Sequence, residues 1–188
     1  LENVLNQVSK ILLSDNAGPV LLSLPFNVQK EMVELDILDN VITSKKPVST
    51  NKALDSAQIK HFVELLKDSK KPVIVSGYGC IKSGAQSLVT ELSRSLNIPV
   101  TSSLKGKGTI NECSELSLGS LGVTSSGYAY DYIVNKADLV VVLGASFNER
   151  TSYLWNDNLL GDKNVIQIDI NDEQLNKVYQ ADLTIHAD

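Results

Sequence analysis

The chain has 188 residues, 43% of them hydrophobic and 21% charged, and a net charge of −5. That is the composition of an ordinary globular protein able to bury a core, sized for one large domain or one domain with part of another. Acids and bases are interspersed without a basic patch, which argues against a nucleic-acid surface, and no apolar run is long enough to span a bilayer.

No signal-peptide pattern opens the chain, and the two cysteines, Cys80 and Cys113, are too far apart in sequence to read as a metal-ligand pair. Reduced thiols in a cytoplasmic protein are the simpler expectation. The start at Leu1, without an initiator Met, reads as the edge of something longer.

Val4, Leu5, Val8, Ile11 and Leu12 make one stripe of an amphipathic helix over residues 2–13. Residues 19–24 (PVLLSL) then read as a buried strand, with Pro19 at its start where no ladder donor is needed. From Val28 to Lys52 the pattern fades into charges, Pro47 and small polar residues, as in a linker. The expected organisation is therefore 1–27 as the tail of one domain, 28–53 as linker and 54–188 as a second domain.

Asp55 with Gln58 fits a capping box, followed by Ile59, Phe62, Val63 and Leu66 at helical spacing, and the helix should end near Ser69. Residues 72–76 (PVIVS) are a short buried strand, broken by Gly77, Gly79 and Gly84. Glycines let the backbone turn off a strand tip and can expose N–H groups to an anion. Ser83 is expected to cap the next helix, whose buried face would be Ala85, Leu88, Val89, Leu92 and Leu96. Residues 98–102 are a strand and 104–122 a glycine-rich loop too long for an idle connection. A helix over 124–136 leads into 138–144 (DLVVVLG), whose apolar run fits a central parallel strand. After a loop over 145–160 come a strand at 164–170, a short helix at 173–179 and a last strand at 182–185. Strands alternating with helices imply an α/β fold, a doubly wound, Rossmann-like parallel sheet of six strands flanked by helices.

In such a sheet, ligands lie beyond the carboxyl ends of the strands. Four segments gather there: 77–80, 102–108, 144–150 and 169–171. They supply glycines, hydroxyls, Lys105, Lys107, Arg150 and Asp169, an inventory suited to a nucleotide-like ligand. Two motif tests fail. The dinucleotide fingerprint has Lys82 where its third glycine belongs, and the phosphate-loop spacing from Gly79 to Gly84 is followed by Ala85-Gln86 rather than Lys and a hydroxyl. Standard NAD or ATP use is therefore not expected. His61 and His186 have no neighbouring ligand pattern, Tyr128, Tyr130 and Tyr132 read as packing residues, and no nucleophile–base pair is apparent. Asp169 has two readings, ribose binding or the capping of a turn; Trp155 could cover a ligand or fill a gap.

Five phrases in series carry a resemblance: KPVIVSGYGC, IPVTSSLKGKGTINE, LSLGSLG, ADLVVVLGASFNER and NVIQIDIN. Together they resemble the central domain of thiamine-diphosphate-dependent enzymes of the acetolactate synthase type, over roughly 55–188. GPVLLSLPFNV resembles the last strand of the pyrimidine-binding domain that precedes it in that family. The resemblance implies a parent enzyme that uses thiamine diphosphate and Mg²⁺ to join or cleave 2-keto acids, two pyruvates to acetolactate and CO₂ above all.

In that family the activating glutamate and the Gly-Asp-Gly metal motif belong to other domains. Gly161-Asp162-Lys163 is only a partial match, so this chain is expected not to catalyse by itself, with neither catalytic nor metal-binding residues. The resemblance implies a structural and subunit-contact module, holding FAD in acetolactate synthases, ADP in oxalyl-CoA decarboxylases and nothing in pyruvate decarboxylases. It places such a ligand on Gly77, Gly79, Ser103, Leu104, Lys105, Gly144, Ala145, Ser146, Phe147, Asn148, Arg150, Asp169 and Ile170. Ser146 departs from flavin-binding relatives, which often carry arginine before the phenylalanine. Implied partners are other domains of the same polypeptide and a second subunit in a homo-oligomer, a dimer being the first expectation. An NAD- or ADP-binding module of the same topology, or a purely structural domain, is the competing reading.

Overall fold

The computed structural model describes residues 1–14, 17–33 and 54–188. The chain divides into two compact units, Leu1–Thr50 and Asn51–Asp188. Most of the expected linker, 34–53, lies outside the described residues.

In the first unit, α1 (Glu2–Leu13) forms where the apolar spacing places it, yet none of its residues is buried. The strand expected at 19–24 is not formed. Those residues have no ladder partner among the described residues, and Leu21 is 94% exposed. A strand is stable only beside another strand that accepts its main-chain hydrogen bonds.

The second unit is one sheet of six parallel strands: β1 (Pro72–Ser76), β2 (Val100–Ser103), β3 (Ser117–Leu121), β4 (Leu139–Leu143), β5 (Asn164–Asp169) and β6 (Leu183–His186). Their order is β3-β2-β1-β4-β5-β6. The chain runs outward from β1 to β3, then restarts beside β1 with β4, so the order reverses between β1 and β4. That reversal is where crossovers leave on opposite faces and open a crevice at the carboxyl ends.

Alternation along each strand sends side chains to two faces. Ile74, Val100, Leu139, Val141 and Ile166 form one core with Val89 and with Phe62, Leu65, Leu66 and Leu92 from α2 (Ser56–Asp68) and α4 (Gln86–Leu96). Val73, Val75, Val140, Val142 and Val165 form the other with Ala129 and Ile133 of α5 (Tyr128–Asn135) and with Leu159 and Leu160. A third helix, α3 (Tyr78–Lys82), is a single turn between β1 and α4.

β3 lies inside the stretch read as loop. Its sequence, SLGSL, is short and carries Gly119 at φ 74, where the register with β2 shifts. Ser83 does not cap α4: its Oγ donates to Gly79 O, and Gly84, at φ +73, lets the chain turn before α4 begins. The buried face of α4 is Val89 and Ser93, while Leu88 and Leu96 are 66% and 49% exposed. Ser93 is inward because its hydroxyl donates to Ile98 O at the entry to β2. At α2 the capping box is half made: Asp55 Oδ1 accepts Ala57 N, but the Gln58 amide reaches Thr184 O on β6.

α5 begins four residues later than its apolar pattern, because Ser125 Oγ donates to Gly122 O and Gly127 turns at φ 81. The helix expected at 173–179 is reduced to one 3₁₀ turn, Asp172–Gln174. There the Gln167 side chain donates to Gln174 O and accepts from Asn176 N, and Asn176 Oδ1 accepts from Ala181 N. Side-chain amides thus take the main-chain groups that a helix would pair.

Candidate functional site at the carboxyl edge of the sheet

All thirteen predicted ligand residues lie on the carboxyl-end side of this one sheet, at the ends of β1, β2, β4 and β5 and in the loops that follow. They do not share one role.

The glycines at the β1/β4 reversal pack backbone against backbone. Gly77 N donates to Leu143 O at 2.8 Å and Gly79 N to Gly144 O at 2.9 Å. A Cβ on Gly77 would stand 2.1 Å from Gly144 O; one on Gly79 would stand 2.6 Å from Gly144 Cα, and one on Gly144 2.7 Å from Gly79 Cα. Gly106, which sequence reasoning did not single out, is equally confined, with a Cβ landing 2.6 Å from Ser76 O. The two amides that the sequence reading offered to an anion are thus already bonded, and α3 is too short for a helix-end field.

Ser103 is buried at the end of β2, and its Oγ accepts Gly106 N, holding the turn that carries Leu104 and Lys105 outward. Lys107 pairs with Glu112 at 2.8 Å, whereas Lys105 is exposed without an ion pair among the described residues. Ala145 is buried and Ser146 exposed; Phe147 turns into the core, its ring edge-on to Tyr179 at 5.0 Å. Phe147 is therefore a packing residue of the loop.

After Gly144 N, which donates to Ile168 O, the next described main-chain donors are Arg150 and Thr151, both to Asn148 Oδ1. Among the described residues the N–H groups of 145–149 have no acceptor, Ala145 and Phe147 being buried and Ser146, Asn148 and Glu149 exposed, and the Arg150 side chain is exposed.

Asp169 ends β5, 8% exposed, and its Oδ1 accepts Asn171 N at 2.9 Å. The turn-capping reading is met: Asn171 N donates to this carboxyl, and the Ile170 amide also bears on it. Burial pushes its carboxyl above the usual range; the Asn171 amide and His186 oppose that without cancelling it. His186 is its register partner on β6 and hydrogen-bonds Ile170 O through Nε2; nothing in the sequence marked that pairing. Cys80 is buried beneath the rim, its Sγ 3.3 Å from Leu143 O, and burial pushes the thiol up, away from reactivity.

In kind, the donors at this edge are those a nucleotide would use: the Asp169 carboxyl for hydroxyls and the exposed Lys105 and Arg150 for phosphates. Among the described residues no cluster of His, Cys, Asp or Glu could hold a metal ion. An open groove of ≈ 490 Å³ lies elsewhere, between α4 and 108–111, and includes none of the thirteen. No helix among the described residues is long and apolar enough to cross a membrane.

The most conspicuous backbone in the unit follows this rim. Tyr153, Leu154 and Trp155 all have positive φ, at 53°, 61° and 62°. No glycine announces them, so sequence reasoning passed over the turn.

Residues 59–188 match the family profile described as thiamine pyrophosphate enzyme, central domain. The acetolactate synthase large subunit of Cyanidium caldarium is 33% identical over 91% of this chain and 29% of its own length. The mitochondrial acetolactate synthase of Schizosaccharomyces pombe is 32% identical over 98% of this chain and 30% of its own. Among solved structures, a chain from Mycobacterium smegmatis assigned as a thiamin diphosphate-dependent enzyme superposes with a TM-score of 0.62 at 26% identity, over 77% of this chain and 28% of that one. The chain therefore spans about a third of the length of the curated relatives it matches. Sheet order, profile and relatives agree: the chain belongs to the thiamine pyrophosphate enzymes, and residues 59–188 are their central domain.

Proposed function

We propose that this chain is the nucleotide-holding and subunit-contact part of a thiamine-diphosphate-dependent enzyme of the acetolactate synthase type, acting on 2-keto acids. The single observation that supports the nucleotide reading is the rim beyond β2, β4 and β5, where exposed Lys105 and Arg150 and the half of Asp169 not needed for its turn lie at the carboxyl ends of neighbouring strands. FAD or ADP would be held there, phosphates against the two cations, ribose hydroxyls against Asp169. Such a group supplies binding energy and order at the edge rather than chemistry in this chain.

Residues 1–27 would be the end of the preceding domain, and 28–53 the connection. Thiamine diphosphate and Mg²⁺ would be held by other parts of the enzyme and by a second subunit in a homo-oligomer, in the cytoplasm. When bound, thiamine diphosphate would supply a nucleophilic carbon for a 2-keto carbonyl; pyruvate is the favoured substrate.

Two measurements test this. The longer enzyme, given thiamine diphosphate, Mg²⁺ and pyruvate, is expected to release CO₂; silence across a panel of 2-keto acids removes the activity. Thermal shift of the present chain against FAD, ADP, NAD and coenzyme A is expected to show FAD or ADP stabilising it, by an amount growing as the logarithm of concentration over Kd. The glycines packed backbone to backbone favour a second reading, a purely structural domain, which predicts no shift with any of the four.

A further inference from the structure

Three bulky residues in succession, Tyr153, Leu154 and Trp155, follow a left-handed helical turn. Single Gly or Asn residues visit this region routinely; L residues with large side chains do not, because Cβ crowds the next carbonyl. Such a turn persists only where its surroundings over-determine it.

Here they do. Leu154 N donates to Glu149 O at 2.7 Å and Trp155 N to Ser152 Oγ at 3.0 Å. Ser152 bonds Asn148 O through both its N–H and its hydroxyl, at 2.9 and 2.8 Å. The turn is therefore tied to the main-chain oxygens of Asn148 and Glu149, inside the rim itself.

On its other side the Tyr153 hydroxyl bridges to the loop between β3 and α5. It accepts Gly122 N at 3.3 Å and lies 2.9 Å from Ser125 Oγ. Its ring sits 4.4 Å from that of Tyr130, whose hydroxyl accepts the Asn156 side chain. The same loop closes on the rim: Val123 N donates to Arg150 O at 3.0 Å, and a Cβ on Gly122 would stand 3.3 Å from that oxygen. Arg150 is thus held at its N–H by Asn148 and at its carbonyl by Val123, while its guanidinium stays exposed. Leu154 and Trp155, 65% and 52% exposed, are the outward apex and contribute little packing.

We infer that Tyr153 is a positioning residue: its hydroxyl clamps the Gly122–Ser125 loop against the Asn148–Arg150 arc, and so holds the main chain that carries the Arg150 cation toward an anionic ligand. The inference rests on the nucleotide reading of this rim and deepens it.

The test compares the wild-type chain with Tyr153→Phe, which keeps the ring and loses the hydroxyl, and with Ser125→Ala, which removes one partner of that hydroxyl from the other side. Amide hydrogen exchange is followed at Val123, Arg150 and Thr151, with the β4 amides as the measure of global stability. ADP and FAD are then titrated against each chain. Loss of the hydroxyl is expected to speed exchange at those three amides about fivefold to tenfold and to weaken ADP or FAD by a similar factor, β4 being unchanged. A merely structural role would speed β4 with the rest, and that outcome overturns the inference, as does unchanged exchange in both variants. If the wild-type chain binds neither ADP nor FAD, the nucleotide reading falls, and local exchange alone decides whether Tyr153 orders the arc. Trp155, the only tryptophan in the sequence, reports by its emission whether the turn itself survives each substitution.

Discussion

Asp138 stands just before β4 and accepts three hydrogen bonds, from Ser69 Oγ, Lys70 N and Lys71 N. It ties the end of α2 and the start of β1 to the start of β4. Burial pushes its carboxyl up, but these donors outweigh burial and hold it below the usual carboxylate range. A depressed folded-state value means stability that is present above the unfolded value, about 3.9, and is lost as pH falls through the folded one. Asp138→Asn is expected to cost about 1–3 kcal/mol at pH 7 in urea unfolding, and the gap to wild type should close as pH is lowered past 4. Asp169 is the opposite case. Its folded-state carboxyl is raised by burial, so its contribution is full below the unfolded value and lost as pH rises through the folded one. Asp169→Asn should therefore be no less stable than wild type at pH 7, while its ADP affinity falls about tenfold if the second oxygen holds ribose. A parallel loss of stability and affinity would assign Asp169 to the turn alone.

Among the elements, those whose sequence states a single message were legible. β1 and β4 are apolar runs that fit a strand buried on both faces, β5 carries Val165, Ile166 and Ile168 within one, and α2 keeps its helical spacing. What escaped was decided by side chains reaching across the fold. β3 is two leucines around a bulged glycine, and it is a strand because β2 lies beside it. The phase of α4 was misjudged because a serine, bonded to Ile98 O, takes an inward place that leucine was expected to fill. The rim was legible as a set of loops but not as a division of labour. Nothing in GASFNER says that Phe147 packs on Tyr179, or that Asn148 spends its oxygen on two amides of its own loop. The left-handed turn is the clearest case, having no glycine to declare it. Strain of this kind costs roughly 1–3 kcal/mol per residue. Leu154→Gly is accordingly expected to raise stability by about 1 kcal/mol in denaturant unfolding, although glycine in a loop ordinarily lowers it. A decrease would show that the outward leucine is held by something else.

At the scale of the whole molecule, the two compact units differ in kind. The sheet unit carries two buried cores, one on each face, whereas α1 buries none of its own side chains. A chain shortened to 54–188 is expected to unfold in urea at the same midpoint as the full chain, within about 0.5 kcal/mol. A large drop would mean that the first unit stabilises the second. Exposed Val4, Ile11, Leu12, Leu21, Leu24 and Phe26 fit a surface that other parts of a longer enzyme, or a second subunit, would cover.

The contact of Gly77 and Gly79 with Gly144 changes how variation in this family should be interpreted. In a saturation-mutagenesis library selected only for soluble expression, with no nucleotide supplied, these three positions should already tolerate nothing larger than hydrogen, because any methyl would meet main chain. Lys105 and Arg150 should vary freely under the same selection and become restricted only when survival depends on the ligand. Glycine retained at the sheet's reversal would thus be a record of steric closure, and a bound nucleotide would leave its imprint on the charged positions instead.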